Sequence, residues 1–127
     1  MRWSQVFIVA ASLMPMATNA KGEDGTMVFG LGVASCGDYL QAANDQRKAR
    51  PPDAQAYDAY TVRYISFISW ADGYLTGTNY ASTESHLVGQ HSDLPGRMKW
   101  LENYCITHPL DKFARAVAAL RLALGGQ

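Results

Sequence analysis

The side chains best suited to chemistry gather between Asn79 and Asp93. Glu84, His86, His91 and Asp93 put four oxygen and nitrogen ligands within ten residues. Zinc sites take their ligands at characteristic short spacings, and this set matches none of them, so solvated loop side chains are expected. Ser85 precedes His86, but adjacency does not make a triad. A nucleophile needs a base within reach, a third group to orient that base, and an oxyanion hole. No Gly-x-Ser-x-Gly elbow occurs in the chain. Asp72 lies at the edge of an aromatic stripe, where burial would suit it to acid–base work; the commoner fate of such a carboxylate is a bond to a nearby Arg or a helix end. The expectation is a protein with no metal, no cofactor and no enzyme activity.

The two cysteines, Cys36 and Cys105, belong with the start of the chain. Arg2 is followed by an apolar run from Val6 to Met14, Pro15 breaks it, and Thr18-Asn19-Ala20 offers small residues at the two positions a signal peptidase reads. This is the secretory pattern, with cleavage expected after Ala20 and a periplasmic destination. A membrane anchor would need about 20 apolar residues, and a lipoprotein a Cys directly after the cleavage point. In an exported chain two cysteines read as a disulfide; two free buried thiols are the rival arrangement.

Charge narrows the partners. Removing Arg2 takes Lys plus Arg from 11 to 10 against 11 Asp plus Glu, a balance of −1. Nucleic-acid binding calls for a basic face, and none is present. No polybasic segment marks a membrane surface either, so a protein partner is the expectation.

Periodicity gives the elements that must hold these groups. Residues 21–34 contain Gly22, Gly25, Gly30 and Gly32 and read as a flexible lead. Ser35 and Asp38 stand at capping-box spacing and open a first helix, whose face carries Cys36, Tyr39, Leu40, Ala43 and Arg47 until Pro51-Pro52 stops it. Asp53 can cap a second helix from Ala54 to about Thr78, with Tyr57, Tyr60, Tyr64, Ile68, Ala71 and Leu75 in one stripe, widened by Phe67 and Tyr74. The other side of that helix holds Ser66, Gly73 and Gly77. Small residues at this spacing let a neighbouring backbone approach, so the helix is expected to pack on both sides, with a binding groove as the alternative. Asn79 to Asp93 reads as a loop. Asp93 caps a third helix carrying Leu94, Met98, Leu101 and Cys105, which His108-Pro109 ends. A fourth carries Leu110, Phe113, Ala114, Val117, Leu120 and Leu124 and closes at Gly125-Gly126. The chain is therefore expected to be all-α: a signal peptide over 1–20, a lead over 21–34, and a compact four-helix domain over 35–125. The disulfide would join helix one to the end of helix three.

The aromatics point to a surface. Tyr and Trp serve both cores and binding sites because they combine large area with a polar tip. Tyr57, Tyr64 and Tyr104 are expected in the core; Tyr74 and Tyr80 flank the loop and are expected to be exposed. Loops held by rigid scaffolds carry function more often than helix faces. The binding site is accordingly placed at Tyr74, Asn79, Tyr80, His86 and His91.

Several short motifs add a family resemblance. Ser35-Cys36-Gly37-Asp38-Tyr39-Leu40, then Trp70-Ala71-Asp72-Gly73-Tyr74-Leu75-Thr76-Gly77, then Trp100 to Cys105 and His108-Pro109-Leu110 occur in that order over residues 35–122. The pattern resembles the Rap/Tai immunity proteins of type VI secretion, within the broader HdeA-like group of small periplasmic helical proteins. The resemblance implies a non-enzymatic fold that neutralises a secreted effector toxin, and it admits a homodimer. The alternative it implies is an HdeA-like acid-stress chaperone. The long central helix and the wide cysteine spacing depart from that second pattern.

Overall fold

Ser35 and Asp38 start the first helix by satisfying each other's backbone. The Ser35 Oγ accepts from the Asp38 N–H at 3.1 Å, and the Asp38 Oδ2 accepts from the Ser35 N–H at 3.0 Å and its hydroxyl at 2.8 Å. This is a capping box closed by Asp in place of Glu. The hydrogen bonds from Ser35, side chain first and backbone second, hold the Asp38 carboxyl below the ordinary Asp range, with help from Arg63. In this computed structural model, which describes residues 27–49, 61–83 and 87–125, the helix that follows (α1) spans Cys36–Ala49. It buries Cys36, Tyr39, Ala42, Ala43 and Gln46. The buried face is turned slightly from the expected one: Leu40 is half-buried, and Arg47 reaches out to Glu102 at 2.7 Å.

The second helix (α2) spans Val62–Ala81. Its start differs from the expected Ala54 because Thr61 is extended and caps it: the Thr61 hydroxyl accepts from the Tyr64 N–H at 3.4 Å. The Thr61 N–H in turn donates to the side chain of Gln46, tying the end of α1 to the start of α2. Pro51-Pro52, Asp53, Tyr57 and Tyr60 lie outside the described residues, as does the leader over 1–20. The inward stripe of α2 is Phe67, Ile68, Ala71 and Leu75, with Tyr64 and Tyr74 packed beside it. Its other side differs from expectation. Gly73 and Gly77 are exposed, and a methyl group added at either would meet no atom within 4 Å. The helix therefore packs on one side only among the described residues.

The third helix (α3) spans Leu94–Thr107. Asp93 caps it as predicted, its Oδ1 accepting from the Gly96 N–H at 2.7 Å, and Pro95 occupies the first turn, where no intrahelical donor is needed. Met98, Leu101 and Cys105 are buried. The fourth helix (α4) spans Phe113–Ala123 and buries Phe113, Ala116, Val117 and Leu120. Leu110 is not part of it. That residue sits in the turn after His108 and is 93 % exposed, because the carbonyls of Pro109 and Asp111 on either side are drawn to the backbone of Gly37 and Cys36.

All four helices meet around one core, with α1 lying most extensively on α3. Three rings fill its centre: Tyr39 to Phe113 at 5.0 Å, Phe67 to Phe113 at 4.8 Å and Tyr39 to Phe67 at 5.5 Å between centroids. Burying the Tyr39 phenol requires a partner for its hydroxyl, which donates to the Met98 carbonyl at 3.1 Å. Burial raises its pKa strongly, so the phenol stays neutral through the ordinary pH range. Cys36 and Cys105 are bonded, with Cα atoms 4.9 Å apart and both residues fully buried. The bridge joins the first residue of α1 to the last turn of α3. Across 69 residues it stabilises the fold by about 4 kcal/mol in the chain-entropy view.

The expected flexible lead is, in its described part, a built element. A 3-10 turn at Gly30–Val33 lies against α2 and α4, and Gly32 is buried. Ser35 then pairs with Lys112 in a single antiparallel bridge. Its flanking bonds are Phe113 N–H to the Ala34 carbonyl at 2.7 Å and Cys36 N–H to the Asp111 carbonyl at 2.8 Å. The entry to α1 and the entry to α4 are thus sewn together beside the disulfide.

Candidate functional site

The side of α2 turned away from the core is the most distinctive surface. Residues three and four apart share a helix face, and Val62, Ser66, Ser69, Gly73, Thr76, Gly77 and Tyr80 follow that spacing. Not one of them is charged. Val62 at one end is 81 % exposed and Tyr80 at the other is 90 % exposed. Between them every side chain is small, and the Ser66 hydroxyl is turned back to the Val62 carbonyl at 2.7 Å. A flat, uncharged helix face bounded by two large exposed side chains suits the close approach of another backbone. Its hydroxyls and glycines cost little to desolvate compared with charged side chains.

The segment after α2 is fastened to that helix rather than free. The Asn79 amide clamps Val88 in both directions, accepting from its N–H at 2.8 Å and donating to its carbonyl at 3.1 Å. A turn follows, with Gly89 at φ +78°, where a side chain would be strained, and the Ser92 N–H donating to the Gly89 carbonyl at 3.0 Å. Arg97 locks the end of this turn to both helices. Its guanidinium donates to Asp72 Oδ1 at 3.1 and 3.3 Å and to the Ser92 carbonyl at 3.2 Å. Asp72 is therefore occupied by an Arg partner, the structural alternative to acid–base work.

The residues expected to bind divide accordingly. Tyr80 is open to solvent at the last turn of α2. His91 is exposed in the turn. Asn79 is committed to holding that turn in place. Tyr74 is half-buried and stacked on Trp70, with ring centroids 5.9 Å apart. His86 lies outside the described residues, together with Glu84 and Ser85. The structure brings Tyr80 and the Leu87–His91 turn to the same end of α2 through the Asn79 clamp. Tyr74 lies toward the core side of Trp70.

Some features lay beyond sequence reasoning. Trp100, Tyr104 and His108 stack in a row along α3, at 5.6 and 4.3 Å between ring centres. Their four-residue spacing was visible, but parallel stacking is a matter of rotamers. The row closes on itself: the Tyr104 hydroxyl donates to Asp111 Oδ2 at 2.8 Å, and the His108 ring lies against the Tyr104 carbonyl at 3.0 Å. Burial first, and the bond to Asp111 second, raise the Tyr104 pKa. The faces of these rings are largely spent on one another. Val62, which no sequence signal singled out, is 81 % exposed at the start of α2.

Among the described residues no three His, Cys, Asp or Glu side chains come together as a metal site would require. No described helix is long and apolar enough to cross a membrane. No protein family, no curated protein and no solved structure matches this chain.

Proposed function

We propose that this chain is an exported, non-enzymatic protein-binding domain, and that its partner docks on the outward face of α2 between Val62 and Tyr80. The observation that carries the reading is that face: about five turns of helix, uncharged, lined by small residues and closed by a tyrosine that is 90 % exposed. Tyrosine in such a position is the type of anchor that dominates binding energy at protein interfaces. The disulfide fits a destination outside the reducing cytosol, and the Arg2-to-Ala20 pattern supports export to the periplasm. Within that class, the order of motifs supports immunity-type neutralisation of a secreted effector toxin. A second copy of the chain on the same face is the homodimeric form of the reading.

The test is co-expression. A candidate effector toxin, sought among the products of the neighbouring genes, is directed to the periplasm with and without the protein. Growth restored by the wild type, and not by a version retained in the cytosol, is the expected result. Growth arrest unaffected by the protein would refute the immunity role. Suppression of client aggregation below about pH 3, with none at neutral pH, would put the acid chaperone in its place.

A further inference from the structure

The segment Met27–Val33 sits on the fold in an inverted manner. Its large apolar side chains face outward: Met27 is 78 % exposed, Phe29 72 % and Val33 56 %. Its backbone faces inward, onto Trp70. Gly32 is buried so closely against that indole that an added methyl would stand 2.3 Å from Trp70 Cζ2 and 2.5 Å from Val28 Cγ1. Gly30 at φ +60° lies 3.5 Å from Trp70 Cδ1 by the same measure. Of its side chains, Leu31 alone is packed against the core as a partly buried hydrophobic residue, and no side chain caps the start of the 3-10 turn.

The fastening is uneven as well. Among the described residues, two hydrogen bonds join this segment and the residue after it, Ala34, to the rest of the fold. One is the Trp70 Nε1–H donating to the Phe29 carbonyl at 2.9 Å. The other is the Phe113 N–H to the Ala34 carbonyl, at the segment's C-terminal end. Immediately beyond Ala34 the fastening becomes dense: the Ser35–Lys112 bridge, the bonds of Cys36 and Gly37 to the Asp111 and Pro109 carbonyls, and the disulfide. A stretch that packs one large apolar side chain, Leu31, against the core and has one lateral hydrogen bond, running into a fixed point, has the makings of a local opening unit.

We propose that residues 27–33 form a strap hinged at Ala34, which opens from Trp70 as a unit separate from the four-helix core. The opening matters because of where Trp70 stands. It is four residues from Ser66, three from Gly73 and seven from Gly77, so it borders the outward face of α2. With the strap lifted, the Trp70 indole joins that face and widens it with an aromatic ring. The strap is thus a self-contact that competes for the edge of the docking surface. This last consequence rests on the proposed docking face; the opening itself does not.

Native-state hydrogen exchange on the intact protein, followed by NMR, tests the opening without any partner. The Trp70 Nε1–H reports the strap directly, and the amides of Leu101 and Val117 report the core. The expected result is a Trp70 indole protected at least about 100-fold less than those amides, exchanging at a rate insensitive to low denaturant. Gly32→Ala, whose methyl cannot fit against the indole, is expected to remove the remaining indole protection and raise binding of a hydrophobic dye, with core exchange unchanged. Equal protection of the indole and the core, with the same denaturant dependence in the wild type, would overturn the strap. That outcome would leave the docking face of α2 untouched.

Discussion

The two sides of α2 are built from the same twenty residues and follow opposite rules. The inward side carries Phe67, Ile68, Ala71 and Leu75, fully or nearly fully buried. The outward side carries Val62, Ser66, Ser69, Gly73, Thr76, Gly77 and Tyr80, with no packed neighbour at either glycine among the described residues. Glycine in the middle of a helix costs roughly 0.5–1 kcal/mol relative to alanine. Two such residues at exposed positions, where no close contact demands them, weaken the helix for no gain in the fold. The lesson is that the inward side is shaped by stability, while the outward side is shaped by something that stability does not explain. The docking partner proposed above would account for it.

Substitutions on the inward side should have the largest effects. Phe67→Ala removes a ring from the centre of the Tyr39–Phe113 cluster and should destabilise by about 3–5 kcal/mol, read by urea denaturation. Replacing both cysteines with serine should cost about 2–4 kcal/mol, seen as a lower Tm under non-reducing conditions. That effect should match the wild type measured after reduction. Breaking the boundary between the two sides should matter less. Asn79→Ala frees the turn at Val88 and should cost about 1–2 kcal/mol, because two backbone groups lose their partner.

The cap of α1 makes a smaller, pH-dependent contribution. The Asp38 carboxyl is held below its ordinary value in the folded protein, so the unfolded chain takes up its proton first as pH falls. Its stabilisation is therefore complete above about pH 4 and is lost as pH drops through the folded-state value. Denaturation midpoints measured from pH 6 to pH 2 should fall, and Asp38→Asn should flatten that decline while lowering stability at pH 6. At the small end lies the outward face itself. Gly73→Ala should leave stability unchanged or raise it by up to about 1 kcal/mol, and Tyr80→Ala should change it by less than about 0.5 kcal/mol. A marked loss from either would mean that this side is structural after all.

Much of the fold was legible because it rests on local rules. The Ser35–Asp38 box, the Asp93 cap and the Met98-Leu101-Cys105 stripe follow from residue type and spacing, and the pairing of the two cysteines from their number in a chain read as exported. What escaped depends on tertiary context. Leu110 continues the period of the last helix, yet the bonds of Pro109 and Asp111 to the start of α1 hold it in a turn. The glycines of the lead read as flexibility, whereas Gly32 serves a close approach to Trp70. The small residues of α2 read as packing, and only the positions of the neighbouring helices reveal that no described residue lies there. For the candidate site, Tyr80 was visible by its place beside a polar segment. Asn79 was placed in the binding site, yet its amide is spent on the Val88 backbone, a pairing that its position in the sequence does not reveal.

The docking face is tested most directly by binding measured on a variant that the fold should not notice. Gly73→Glu places a charge at the middle of the outward face, where a methyl would touch no described residue. Calorimetric titration with the protein partner recovered by wild-type pull-down from the native periplasm should show at least a tenfold loss of affinity, about 1.4 kcal/mol, at an unchanged Tm. The same affinity for Gly73→Glu and wild type would contradict the account and move the partner to another surface.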